Sequence, residues 1–123
     1  MIQIQRENDC GVCAVANALE VSWTYAADIV FNENWSNKLR FNTKTRQIAN
    51  ALNIQDHKLI RVKEWHDIPD HSIVKVINSA QGGTGNWHWV VWRDGLVWDS
   101  NHSVPIAPHR YNHRLVSYLG KAS

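Results

Sequence analysis

Apolar positions recur at helical spacing in the first half of the chain and run as short blocks in the second. Val12, Val15, Ala16 and Leu19 follow the i, i+3, i+4, i+7 rule and predict a helix over residues 11–20 with one apolar face. Asn8 and Asp9 precede it and are residue types that cap helix N-termini, so Cys10 falls at the helix start. A second helix is predicted from about Thr24 to Phe31. The stretch Asn32 to Asn42 holds four Asn and a Ser and reads as loop. A third helix is predicted over about Lys44 to Leu52, with Thr43 as its N-cap and Ile48, Ala49 and Leu52 as its apolar face. Asn53 adopts the left-handed conformation more readily than most residues and ends it.

Strand signals follow. Lys58 to Val62 alternates weakly, Ile68-Pro69-Asp70 marks a turn, and Ser72 to Ile77 is a largely apolar run that predicts a buried strand. Gln81 to Gly85 reads as a flexible connection. Trp87 to Arg93 and Leu96 to Asp99 are two strands joined by Asp94-Gly95, a strong hairpin signal. Pro105 and Pro108 keep the next segment irregular, and Leu115 to Leu119 is a last strand. Helices first and strands afterwards predict an α+β fold.

Composition narrows the class. A chain of 123 residues fits one domain, 1–123, and 44% hydrophobic with 20% charged residues is an ordinary globular make-up. A core can form at this length without a metal or a disulfide. The formal net charge of +2 argues against a dedicated nucleic-acid binder. No apolar signal core occupies the N-terminus and no run reaches membrane-spanning length. The expected location is the cytoplasm, with export by a route that leaves no cleaved signal still open. Seven Trp are many for this length. Most are expected in the core, and one or two of those near His88 are expected to wall a groove.

The chemistry starts at Cys10. A thiol at a helix N-terminus meets unpaired backbone N–H groups and the positive end of the helix dipole, and both favour the reactive thiolate. The Cys10 N–H is free to point at an oxyanion. Gly11 is expected to let a substrate chain approach closely. Gln5 lies five residues upstream and carries an amide suited to a second oxyanion donor. By residue type alone a buried structural Cys is the commoner case. A thiol also needs a base. Across a two-residue Asp94-Gly95 turn, Arg93 pairs with Leu96, Trp92 with Val97, Val90 with Asp99 and His88 with Asn101. His88, Val90, Trp92, Val97, Asp99 and Asn101 then share one face. Asp99 becomes a diagonal neighbour of His88 and a candidate to orient its imidazole. Asn101, opposite His88, is a second candidate for that role.

The ordered set Gln5, Asp9-Cys10-Gly11-Val12-Cys13-Ala14, His88-Trp89-Val90-Val91 and Asp99 resembles the papain-like cysteine peptidase superfamily. It is most similar to the leader-peptidase domains of bacteriocin exporters, while the His-Trp strand and Trp98-Asp99-Ser100-Asn101 resemble Josephin-type deubiquitinases. The likeness runs from Gln5 to about Asn101. It implies an N-terminal helical lobe packed on a C-terminal antiparallel sheet, with a cleft between. It also implies Cys10 as nucleophile, His88 as base and acid, Asp99 as orienter and Gln5 as oxyanion donor. No cofactor and no metal are implied. The implied partner is a peptide or protein substrate with small residues next to the scissile bond. The chain departs from the exporter pattern at the Gln. That pattern places Gln six residues before the Cys, where this chain has Ile4 flanked by Gln3 and Gln5.

Other classes fit less of the sequence. Cys10-x-x-Cys13 at a helix start suits thiol redox chemistry, but nine residues leave no room for the strand-helix-strand unit a thioredoxin-like fold needs ahead of it. Cys10 and Cys13 with His109 and His113 have zinc-ligand residue types, but lie almost the whole chain apart. An inactive peptide-binding module on the same fold is the main alternative to an enzyme. Nucleic-acid binding through the Trp-rich hairpin lacks cations, since Arg93 stands alone between Trp87 and Trp98.

Overall fold

The computed structural model describes residues 9–32, 35–36, 41–77 and 87–121. Three helices come first: α1 (Cys10–Leu19), α2 (Trp23–Phe31) and α3 (Thr45–Ala51). Five strands follow: β1 (His57–Arg61), β2 (Ser72–Ile77), β3 (Trp87–Arg93), β4 (Leu96–Trp98) and β5 (Arg114–Lys121). The expected α+β class holds, and the helices pack on an antiparallel sheet.

Helix α1 differs from its expected form. It is buried on all sides, from Gly11 through Ala18, instead of along one face. The cause is its place between α2 and α3 on one side and β3 on the other, and its Gly and Ala residues permit that close packing. Glu20, in the left-handed conformation at φ 59°, ends the helix, and the Val21 N–H returns to the Ala16 carbonyl at 3.0 Å. Helix α2 begins at Ser22, whose hydroxyl accepts the Tyr25 N–H at 3.1 Å.

The N-cap of α3 is Lys44 and not Thr43 as expected. Gln47 reaches back to accept the Lys44 N–H at 2.8 Å, which satisfies that donor without a hydroxyl. The C-terminus behaves as the sequence implies. Asn53 is left-handed at φ 58°, and the N–H groups of Asn53 and Ile54 return to the Asn50 and Ala49 carbonyls.

The sheet order is β1-β5-β2-β3-β4, with every pair antiparallel. Asp94 and Gly95 carry φ of 56° and 74°, the paired left-handed turn that matches strand twist. Arg93 opposes Leu96 and Trp92 opposes Val97, as read from the sequence. Regular pairing stops at Val91 opposite Trp98, so the expected pairs at Asp99 and Asn101 do not form. Beyond Trp98 the chain turns, and Val97 instead exchanges two hydrogen bonds with Ile106 at 2.8 and 2.9 Å. That return covers the outer edge of β4.

The sheet is buried on both faces. Ile73, Trp89, Val91, Trp98 and Leu119 pack with the helices. Val74, Val76, Val90 and Val97 pack on the other face with Ile68 and Tyr111. Three of the seven Trp, Trp23, Trp89 and Trp98, are core residues, fewer than expected, and Trp35, Trp65 and Trp92 pack partly buried against the cores. No helix among the described residues is long and apolar enough to cross a membrane.

Candidate active site

Two elements meet at the site. Helix α1 lies along β3 and presents Cys10 as its first residue, half-buried. Strand β3 presents His88 as its second residue, 9% exposed. Cys10 lies close enough to the His88 imidazole for the two to interact electrostatically. His88 Nε2 meets Asp99 Oδ1 at 2.7 Å, and Asp99 is fully buried. Cys10, His88 and Asp99 are therefore brought together. Asn101, the other candidate partner of His88, is exposed. What reaches the site from Asn101 is its backbone N–H, which donates to Asp99 Oδ1 at 2.9 Å. Gln5, Gln3 and the Gln81 to Gly85 connection lie outside the described residues.

The electrostatics follow from these contacts. Burial alone would push His88 down. The Asp99 hydrogen bond, the Cys10 hydrogen bond and the charges of both outweigh it and lift His88 to about 9. Burial alone would push Asp99 up. The His88 bond and charge, with donors from Tyr111 and Asn101, outweigh it and hold the carboxyl at about 2. A protonated imidazole beside an ionised carboxylate is thus the resting form near neutral pH.

The other thiol is different in kind. Cys13 is fully buried, and its sulfur lies 3.6 Å from Asp9 Oδ2. Burial first, then the Asp9 charge and hydrogen bond, drive its pKa well above the usual thiol range. A thiol so held is a poor redox partner for Cys10. Ser100, next to Asp99 in sequence, also hydrogen-bonds Cys13. The segment after β4 thereby touches the His88 imidazole through one residue and α1 through the next.

Two sequence expectations need correction here. Asp9 stands at the N-cap position of α1, but its side chain makes no cap bond. It turns inward and accepts the Trp23 indole N–H at 2.7 Å, so a buried donor and a buried thiol take the carboxylate away from the helix N-terminus. Gly11 is buried and its open side faces Thr43, not a substrate channel. A Cβ there would lie 2.9 Å from Thr43 Cβ and nearer still to Thr43 Oγ1. Glycine at this place lets the loop before α3 close onto α1.

Of the tryptophans near His88, Trp87 is the most exposed. It is 46% exposed, sits edge-on to Trp89 with centroids 5.3 Å apart, and has the Lys75 ammonium 5.0 Å above its ring.

Sequence reasoning missed Tyr111. Its hydroxyl donates to Asp99 Oδ2 at 2.6 Å. Nothing local marks it. It arrives through the Val97–Ile106 pairing and the 3-10 turn Pro108–Arg110, both set by long-range packing.

No protein-family model matches this chain, and no curated protein matches it. Among solved structures, it is similar to the peptidase domain of Streptococcus ComA, a bi-functional ABC transporter involved in a quorum-sensing pathway. The similarity spans 98% of this chain and 97% of that one, with a TM-score of 0.50 and 16% sequence identity. At that identity the two share a fold, which agrees with the helical lobe on an antiparallel sheet.

Proposed function

We propose that this protein is a cysteine peptidase that cleaves a peptide or isopeptide bond, with Cys10 as nucleophile, His88 as base and acid, and Asp99 as the residue that orients His88. The observation that carries the reading is the buried His88–Asp99 pair beside half-buried Cys10 at the start of α1. The fold shared with a peptidase domain supports it.

Asp99 Oδ1 accepts a hydrogen bond from His88 Nε2–H, which leaves the other ring nitrogen for the Cys10 sulfur. His88 takes the thiol proton, which frees the sulfur as the nucleophile. The sulfur attacks the carbonyl carbon, and the Cys10 N–H with the Gln5 amide receives the oxyanion. Because the Asp9 side chain does not cap α1, it does not compete with the substrate for the first-turn N–H groups. His88 protonates the leaving amine, an acyl-thioester forms, and water activated by His88 releases the acid. The substrate class is a peptide or protein with small residues at the cleavage site.

The test is alkylation by iodoacetamide or E-64, read by mass spectrometry from about pH 4 to 9. Cys10 should react fast at low pH, Cys13 should not, and His88→Ala should abolish the advantage. Equal reactivity of the two thiols, with ordinary thiol pH dependence, refutes the enzyme and favours an inactive peptide-binding module.

A further inference from the structure

Asp99 is held from three directions. Oδ1 accepts His88 Nε2–H at 2.7 Å and the Asn101 N–H at 2.9 Å. Oδ2 accepts the Tyr111 hydroxyl at 2.6 Å. The last bond is short and lies on the oxygen that His88 does not use. Tyr111 is itself fixed: it is 9% exposed, its N–H returns to the Pro108 carbonyl, and its ring packs edge-on against Trp65 at 5.9 Å. His113 and His102 flank the same ring at 5.3 and 6.4 Å.

We infer that Tyr111 is a positioning residue of the proposed reaction: its hydroxyl fixes the plane of the Asp99 carboxylate and draws off part of its charge, so that His88 can release its proton to the leaving group. A carboxylate with a strong donor on one oxygen is a weaker acceptor on the other. Its grip on the imidazolium is therefore less tight. This matters because a catalytic acid works best when its pKa lies near the working pH, and His88 is already held high at about 9. Tyr111 stays a donor throughout, since burial and the Asp99 charge hold its own hydroxyl far above the ordinary phenol range.

Among the described residues, the titratable groups that act on His88 and Asp99 are Cys10, Tyr111 and, through its charge, His113. His88 is faced by Cys10 from α1 and by Asp99 from the segment after β4. Asp99 is faced by His88 from β3 and Tyr111 from the segment before β5. Tyr111 is faced by His102 and His113. His113 is pushed down by burial first and by its neighbouring histidines, against the pull of Asp99, and so remains neutral near pH 7.

The test uses Tyr111→Phe, which keeps the ring and its packing and removes one oxygen. The His88 titration is read by NMR of the labelled imidazole, and kcat and KM are measured on any peptide the wild type cleaves. The His88 titration should move up by about half a unit or more. On the peptidase reading, kcat should fall about tenfold with KM little changed. Replacing Tyr111 by 3,5-difluorotyrosine, a stronger donor of similar shape, should move the titration the opposite way. A loss of melting temperature with no movement of His88 in either variant leaves Tyr111 a packing residue and overturns the inference, as does a downward shift in Tyr111→Phe. The kcat arm rests on the peptidase reading. The NMR arm needs no turnover, so a failure of Cys10 to react would sink that reading while the His88 titration still decides this one.

Discussion

Gly11→Ala sets two rules against each other. Alanine is favoured over glycine in a helix by about 1 kcal/mol, and less in the first turn. Position 11 is the second residue of α1, so propensity alone predicts a small gain. The structure predicts a loss. A Cβ at residue 11 would fall 2.9 Å from Thr43 Cβ and 3.0 Å from Thr43 Cγ2, with Oγ1 closer than either. Rotating the Thr43 side chain relieves the γ atoms but not the β carbon, which is fixed to the backbone. The loop before α3 must then back away from α1. Overpacking of this kind costs about 1–3 kcal/mol. The net effect is a destabilisation of about 1–2 kcal/mol, or roughly 3–10 °C in melting temperature for a domain of this size. Thermal and urea unfolding by circular dichroism measure it. Gly11→Ala with Thr43→Ala should recover part of the loss, and with Thr43→Gly most of it. Because the first turn of α1 carries Cys10, the single variant should also alkylate more slowly than wild type. A Gly11→Ala protein that melts higher than wild type would refute the packing argument and return Gly11 to the substrate channel expected from the sequence.

The remaining predictions concern charge and the two thiols. Asp99→Asn removes the carboxylate partner of His88, and the exposed Asn101 side chain does not take its place, so kcat should fall by about 10²-fold or more in a peptide cleavage assay. Cys13→Ala should keep turnover and Cys10 labelling but lose about 1–2 kcal/mol in urea unfolding, since it leaves a small cavity and takes a partner from Asp9; loss of turnover with the fold intact would revive a redox role for Cys13. Stability should also depend on pH with a defined sign. His88 is raised in the folded state, so its contribution is full below about 6.5 and is lost as the pH rises through about 9. Asp99 is lowered, so its contribution is full above about 3.8 and is lost as the pH falls through about 2. Both shifts express one interaction, counted once at roughly 2 kcal/mol, which places the plateau between about pH 4 and 6.5. Urea midpoints at pH 5, 7 and 9 for wild type and Asp99→Asn should converge at the alkaline end, and a constant difference across that range contradicts the assignment.

What could be read from the sequence was local. The helices over Val12 to Leu19, Thr24 to Phe31 and Lys44 to Leu52 appear within a residue or two of their expected limits, because apolar spacing and cap residues act over one or two turns. The same holds for β2 and β3. The Asp94-Gly95 turn carried the reading furthest: a two-residue loop sets the register of both strands, and that register brings Asp99 to His88 even though the ladder stops one residue earlier. Other placements depend on which distant surfaces close on one another, and no local pattern encodes that. The last strand, β5, inserts between β1 and β2 because its two faces serve the two cores, Leu119 on the helix side and Leu115 and Tyr118 on the other. Asp9 leaves its capping position because a buried indole and a buried thiol need its carboxylate more than the helix end does. Gly11 serves Thr43, and Tyr111 reaches Asp99 from twelve residues further along the chain. The order of the residues determined the elements and the pairing of His88 with Asp99. Only tertiary packing decided which groups stand behind that pair, since a buried polar atom takes whichever partner the closed core brings within reach.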